Sequence, residues 1–183
     1  MLRFKFTSTY IAGLYVVDQR VMADSRGSFS RMFCSKEFEN IGLKKPIAQI
    51  NHSITKSKGT VRGLHFQPQP EVKIVTCIKG KIFDVAVDIR VNSPTFLKWY
   101  SIELSEENKK SLYIPEGFAH GFQSLEDDCQ LLYMHSEFYD PDKESAVNYL
   151  DPEISISWPL NIKHVSERDK THPLIDLNFF KGY

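Results

Sequence analysis

Three side chains able to hold an anion and move a proton, Arg62, His65 and Lys73, fall within twelve residues. Arg62 and His65 belong to the run Val61-Arg62-Gly63-Leu64-His65-Phe66-Gln67. An imidazole titrates near neutrality and removes protons well when a carboxylate orients it. A lysine ammonium stabilises an oxyanion as it forms, and an arginine at a cavity mouth makes charge-assisted contacts with phosphate. A His and a Lys delivered by neighbouring strands can point into one cavity with an Arg at its mouth. That set suits an anionic substrate that must lose a proton. Taken one at a time these residues are more often structural: a histidine bonded to backbone, a surface lysine, a solvated arginine. Tyr133, between Leu132 and Met134, is by itself most often a core tyrosine.

The elements that must carry these groups read as strands. Phe83, Val85, Val87 and Ile89 alternate with Asp84, Ala86 and Asp88, which puts the two sets on opposite faces of a strand from Lys81 to Arg90. Lys73 to Ile78 is a strand before it, joined through a Lys79-Gly80 turn. Further strands are expected over 3–6, 13–17, 98–104, 112–114, 121–125 and 130–138. A strand over 47–53 carries Gln49 and Asn51 on one side. Asp24-Ser25-Arg26-Gly27 reads as a turn, with Phe29 and Phe33 as anchors after it. Ser35 is expected to cap a short helix through Ile41, stopped by Gly42. Ser105 should cap a helical turn to Lys110, and Ser166-Glu167-Arg168-Asp169 begins another. Many strands, turns between them and almost no long helix predict a mainly β chain, a sandwich or barrel. No repeat or linker interrupts it, so residues 1–183 are expected to form one domain.

Composition narrows the function classes. Lysine plus arginine equal aspartate plus glutamate at 23 each, so no basic field points to nucleic acid. Cys34, Cys77 and Cys129 are widely spaced and odd in number, which predicts reduced thiols and a cytoplasmic protein. The apolar run over 10–17 is too short to span a membrane. A metal-binding β-barrel of the cupin type usually needs a His-x-His pair. Here the position reads His65-Phe66-Gln67, and no other two histidines share ligand spacing on a strand. No metal and no cofactor are therefore expected.

Together the motifs are specific. Arg62-Gly63-Leu64-His65-Phe66-Gln67, Phe83-Asp84-Val85-Ala86-Val87-Asp88-Ile89-Arg90, Ser93-Pro94-Thr95-Phe96 and Ile114-Pro115-Glu116-Gly117-Phe118-Ala119-His120-Gly121-Phe122 occur in this order. In them the chain closely resembles the dTDP-4-dehydrorhamnose 3,5-epimerases, from Asp24 to Asp169. The resemblance implies a cupin-like double-stranded β-helix (jelly roll) with a few short helices. It also implies a metal-free homodimer in which an N-terminal segment joins the partner's sheet.

The substrate implied is a nucleotide-diphosphate sugar carrying a 4-keto-6-deoxyhexose, in deoxysugar biosynthesis for surface polysaccharide such as lipopolysaccharide O antigen. Its C3 and C5 hydrogens flank the C4 carbonyl, so loss of either gives an enolate. By resemblance, His65 is the base, Asp169 its orienting carboxylate, Lys73 the cation at the C4 oxygen and Tyr133 the acid on the opposite face. Arg26 and Arg62 match residues at the diphosphate. Gln49, Asn51 and Tyr139 line the nucleotide and sugar site, and His120 lies in the pocket motif.

Three departures surround the substrate. The segment between His65 and Lys73 is short, Met22 stands where relatives often have an aromatic, and Arg31 where they often have Glu. They leave the proton-transfer groups intact and predict a relaxed preference for thymine. A single-site epimerase, inverting C3 or C5 alone on a different nucleotide, is the neighbouring reading. A metal-dependent cupin lacks its ligand pair. A non-catalytic sugar-binding jelly roll has no need of a base and an opposed acid.

Overall fold

Strands dominate because the chain alternates, or runs apolar, between turn residues. The computed structural model describes residues 3–180 and 182–183. In chain order the elements are β1 (Phe4–Ser8), β2 (Tyr15–Gln19), β3 (Val21–Asp24), β4 (Gly27–Ser30), α1 (Ser35–Phe38) and β5 (Gln49–Thr55). Then come β6 (Val61–Phe66), β7 (Lys73–Lys79), β8 (Lys81–Asp88), β9 (Trp99–Ser105) and β10 (Lys110–Ile114). The last are β11 (Phe118–Ser124), β12 (Cys129–His135), β13 (Ser145–Ala146) and α2 (Glu167–Lys170). One sheet has the order β1-β2-β10-β7-β12-β5 and the other β13-β6-β11-β8-β9, with every pairing antiparallel. This is the mainly β, cupin-like jelly roll. No helix among the described residues is long and apolar enough to cross a membrane.

Between the sheets lies a core that includes Val75, Leu112 and Leu131 from one and Ile82, Ala86, Phe118 and Phe122 from the other. Outside the six-stranded sheet, α1 lays fully buried Phe38 against Phe4, Phe6 and Phe33, with ring centroids 5.1–5.3 Å away. Phe38→Ala would cost about 3–5 kcal/mol, the range for emptying an aromatic site in a core.

β8 is buried on both faces, which alternation alone does not reveal. Its apolar side, with Val85 and Val87, faces outward and is covered by the irregular C-terminal segment through Ile154, Trp158 and Phe180. Its carboxylate side faces the interior, where Asp84 and Asp88 are both 0% exposed. Asp88 accepts from Arg90, Ser93 and Thr95, which pins the loop after β8. Burial pushes its carboxyl up, but those bonds together hold it below the ordinary carboxylate value.

Several local expectations need correction. Phe29 is no anchor: it is 63% exposed on β4, in a two-stranded hairpin with β3 that stands apart from both sheets. Ser35 is the first helical residue rather than the cap. The cap is Cys34, whose carbonyl accepts from Glu37 N and Phe38 N at 3.0 Å with no side-chain bond. The helical stretch continues as a 3₁₀ turn, Glu39–Ile41, and Gly42 ends it in the left-handed region at φ 98°. Ser105 does bond Asn108 N, at 3.1 Å, but it closes a turn rather than a helix.

Candidate active site

At one end of the sandwich, β5, β7 and β12 of one sheet and β6 and β11 of the other enclose a cavity of about 250 Å³. Close approach of β6 to β11 is one condition for it. A Cβ on Gly63 would sit 2.5 Å from Gly121 Cα, and Gly63 has φ 129°, so both positions require glycine. That approach sets His65 directly opposite His120 in the strand register.

His65 and Asp169 meet although 104 residues separate them: His65 Nε2 lies 2.8 Å from Asp169 Oδ1. Asp169 comes from α2, where Ser166 Oγ caps the helix by accepting from Asp169 N at 3.0 Å. Its other oxygen accepts from Gly63 N at 3.3 Å. Burial pushes the Asp169 carboxyl up, but the His65 bond, the neighbouring imidazole and the Gly63 N–H hold it below its ordinary value. It is thus a carboxylate poised to fix one imidazole nitrogen. With Nε2 committed, Nδ1 is the nitrogen left to take a proton.

From the other sheet come Tyr133 on β12 and Lys73 at the start of β7. Burial pushes the Tyr133 phenol well above its ordinary value. Buried Asp84 adds to the rise, and the nearby Ser53 hydroxyl and Arg62 guanidinium oppose it. The raised value favours the neutral phenol at rest, which has a proton to give. Lys73 Nζ lies 3.2 Å from Glu71 Oε2. His120 Nε2 lies 2.8 Å from the fully buried Asp84. Arg62, Asn51, Ser53, Tyr139 and Glu144 complete the polar wall.

The site has the parts for enolate chemistry: a carboxylate-oriented imidazole on one sheet, a protonated phenol on the facing sheet and a cation between polar walls. A second cavity, of about 400 Å³, borders His65 on its Asp169 side but includes neither Lys73 nor Tyr133. His65, Asp169 and His172 also place their ligand atoms within 4.8 Å of one another, the one such grouping found among the described residues. Within it His65 Nε2 and Asp169 Oδ1 already form a hydrogen bond.

The model for the family described as dTDP-4-dehydrorhamnose 3,5-epimerase matches residues 8–176. The chain belongs to that family. It is 41% identical over 174 residues to the dTDP-4-dehydrorhamnose 3,5-epimerase of Methanothermobacter thermautotrophicus, covering 93% of this chain and 94% of that protein. It is 39% identical to a dTDP-4-dehydrorhamnose 3-epimerase of Streptomyces niveus, over 87% of this chain and 78% of that one. Among solved structures it superposes with a TM-score of 0.92 and 38% identity on the Legionella pneumophila dTDP-6-deoxy-D-glucose-3,5-epimerase in complex with dTDP-4-keto-L-rhamnose. That match covers 98% of each chain. As a member of this epimerase family, the protein is an isomerase.

Of the epimerase residues expected from sequence, the cavity brings together His65, Lys73, Tyr133, Arg62, Asn51, His120 and Tyr139, with Asp169 behind His65. Gln49 stands beside it rather than in its lining, donating to Asn51 Oδ1 at 3.2 Å and accepting from Tyr139 N at 2.8 Å. Arg26 is not brought there within one copy. It lies at the tip of the β3–β4 hairpin, 87% exposed and paired with Asp24 at 2.6 Å. Arg31 is not in the cavity lining either; its Nη1 lies 2.9 Å from Glu37 Oε1.

Sequence reasoning passed over Glu71, His135, Ser53 and Glu144. His135 was open to it: two residues after Tyr133 on one strand, it shares that face. Glu71 and Glu144 lie in irregular segments with no period to read.

Proposed function

We propose that the protein epimerises a nucleotide-linked 4-keto-6-deoxyhexose at C3 and C5. The observation that carries this reading is the His65–Asp169 dyad on one sheet facing Tyr133 on the other, with Lys73 in the same cavity. His65 Nδ1 takes the proton from the carbon beside the C4 carbonyl. The electron pair moves to the C4 oxygen, where the Lys73 ammonium stabilises the enolate. Tyr133 then gives its proton to the opposite face of that carbon, which inverts it. The imidazolium and phenolate left behind exchange protons with solvent before the next turnover. Both carbons flank one carbonyl, so the same four groups serve both.

Arg62, Asn51, His120 and Tyr139 are assigned to substrate, with Gln49 holding Asn51 and Tyr139. Arg26 fits the diphosphate role only if a second copy receives the hairpin. The exposed Val21, Met22 and Phe29 on that hairpin favour such a homodimer. Residues 1–183 then act as one catalytic domain, in the cytoplasm, in deoxysugar biosynthesis for surface polysaccharide such as O antigen. A second reading, inversion at one carbon only, is favoured by the 39% identity to the Streptomyces niveus 3-epimerase. Incubation in D2O with 4-keto-6-deoxy sugars on different nucleotides, followed by NMR at C3 and C5, tests both. Deuterium at both carbons is expected, at one carbon supports the second reading, and at neither refutes the assignment.

A further inference from the structure

Lys73 and His135 are direct partners across β7 and β12, so two basic side chains point from adjacent strands into one cavity. Both are largely withdrawn from water, 12% and 13% exposed. Glu71 joins them. Its Oε1 accepts from His135 Nδ1 at 2.6 Å and its Oε2 meets Lys73 Nζ at 3.2 Å.

The bridge is anchored. Val72 N donates to Ser136 Oγ at 2.8 Å and Ser136 N donates back to the Val72 carbonyl at 3.0 Å, which ties the backbone beside Glu71 to the residue that follows β12. With Nδ1–H directed at Glu71, His135 Nε2 is left as an acceptor, 3.4 Å from Asn51 Nδ2. A carboxylate buried this deeply is costly unless each oxygen is matched, and both are matched by residues of the cavity wall. None of the proton-transfer steps uses it.

We propose that Glu71 is a positioning residue for the reaction: it bridges Lys73 and His135, and so holds the Lys73 ammonium at the substrate carbonyl. The inference rests on the epimerase reading of the cavity. A Glu71 that merely stabilised the fold would lower the melting temperature without acting through Lys73.

The test is a double-mutant cycle on proton exchange in D2O with Glu71→Gln, Lys73→Met and the double variant, beside wild type and His65→Ala. Glu71→Gln should lower kcat by about 10- to 100-fold with KM within about threefold, the signature of a misaimed oxyanion partner. In the Lys73→Met background the same change should cost less than about twofold, because its partner is gone. A Glu71→Gln kcat within about twofold of wild type, or an equal loss in both backgrounds, would overturn the proposal. Should Glu71→Gln fail to fold, His135→Gln cuts half of the bridge. It should lower kcat by roughly 3- to 10-fold in the wild-type background only, and an unchanged kcat would overturn the proposal. If wild type itself shows no His65-dependent exchange, the epimerase reading is what has failed, and this inference falls with it.

Discussion

Asp169→Asn keeps the shape of the buried carboxylate and removes its charge. The side chain is 5% exposed, with one oxygen 2.8 Å from His65 Nε2 and the other 3.3 Å from Gly63 N. An asparagine has one acceptor where there were two. If its oxygen stays with Gly63 N–H, its amide faces His65 Nε2 and donates to it. The imidazole proton then moves to Nδ1, the nitrogen that must accept from substrate. If its oxygen turns to His65 instead, its amide opposes the Gly63 N–H, donor against donor. The loss of a charge-assisted bond is worth about 1.5–3 kcal/mol. The wrong tautomer adds to this, so the barrier should rise by about 3–5 kcal/mol, or roughly 10²- to 10⁴-fold in kcat. KM should change little, since Asp169 is not in the lining of the cavity. His65→Ala should be more severe, because it removes the base rather than misdirecting it. The assay is deuterium entry at C3 and C5 by NMR, with melting temperature as a fold control. A folded Asp169→Asn with kcat within about threefold of wild type would refute the dyad, being far below the loss expected from one buried charged bond.

Four further outcomes are expected. Tyr133→Phe should let deuterium enter at a carbon while net epimerised product falls sharply; unchanged product rate and stereochemistry would reject Tyr133 as the acid. Activity should survive exhaustive chelation, and a loss restored by one divalent ion would overturn the metal-free reading and direct attention to His65, Asp169 and His172. Glu71, Asp88 and Asp169 all have carboxyls held below their ordinary values, so their charged forms stabilise the fold above about pH 4.5. That contribution should disappear as pH falls through the lowered values, which an acid titration of melting temperature would show. Arg31→Ala should leave the relative calorimetric affinities for dTDP, UDP, CDP and GDP unchanged. It should cost at most about 1 kcal/mol of stability, because the arginine is spent on a partly exposed pair with Glu37.

What the sequence could and could not reveal follows from the range of each signal. Period-2 alternation is local, so most strands were legible, and so was the sharing of a face by Gln49 and Asn51. Which face turns inward is a tertiary fact. On β8 the apolar face is the outer one, because a segment some seventy residues later covers it, and Asp84 is interior because His120 meets it there. Asp169 is the same kind of case. Nothing near His65 announces it, and only the motif resemblance linked the two ends of the chain. Phe29 misled because an aromatic after a turn usually anchors it, whereas here the turn belongs to a projecting hairpin.

The departures from the family pattern divide along the same line. Met22 and Arg31 suggested together that base recognition had changed around proton-transfer groups left intact. In one copy both are outside the cavity lining: Met22 on the hairpin, Arg31 beside Glu37. Closer to the chemistry stand two residues that single-residue reading passed over. Glu71 and His135 surround Lys73 with a charge and a ring. On the epimerase reading that bridge acts on kcat, by aiming the ammonium that holds the enolate, while base preference is left to whatever the hairpin meets.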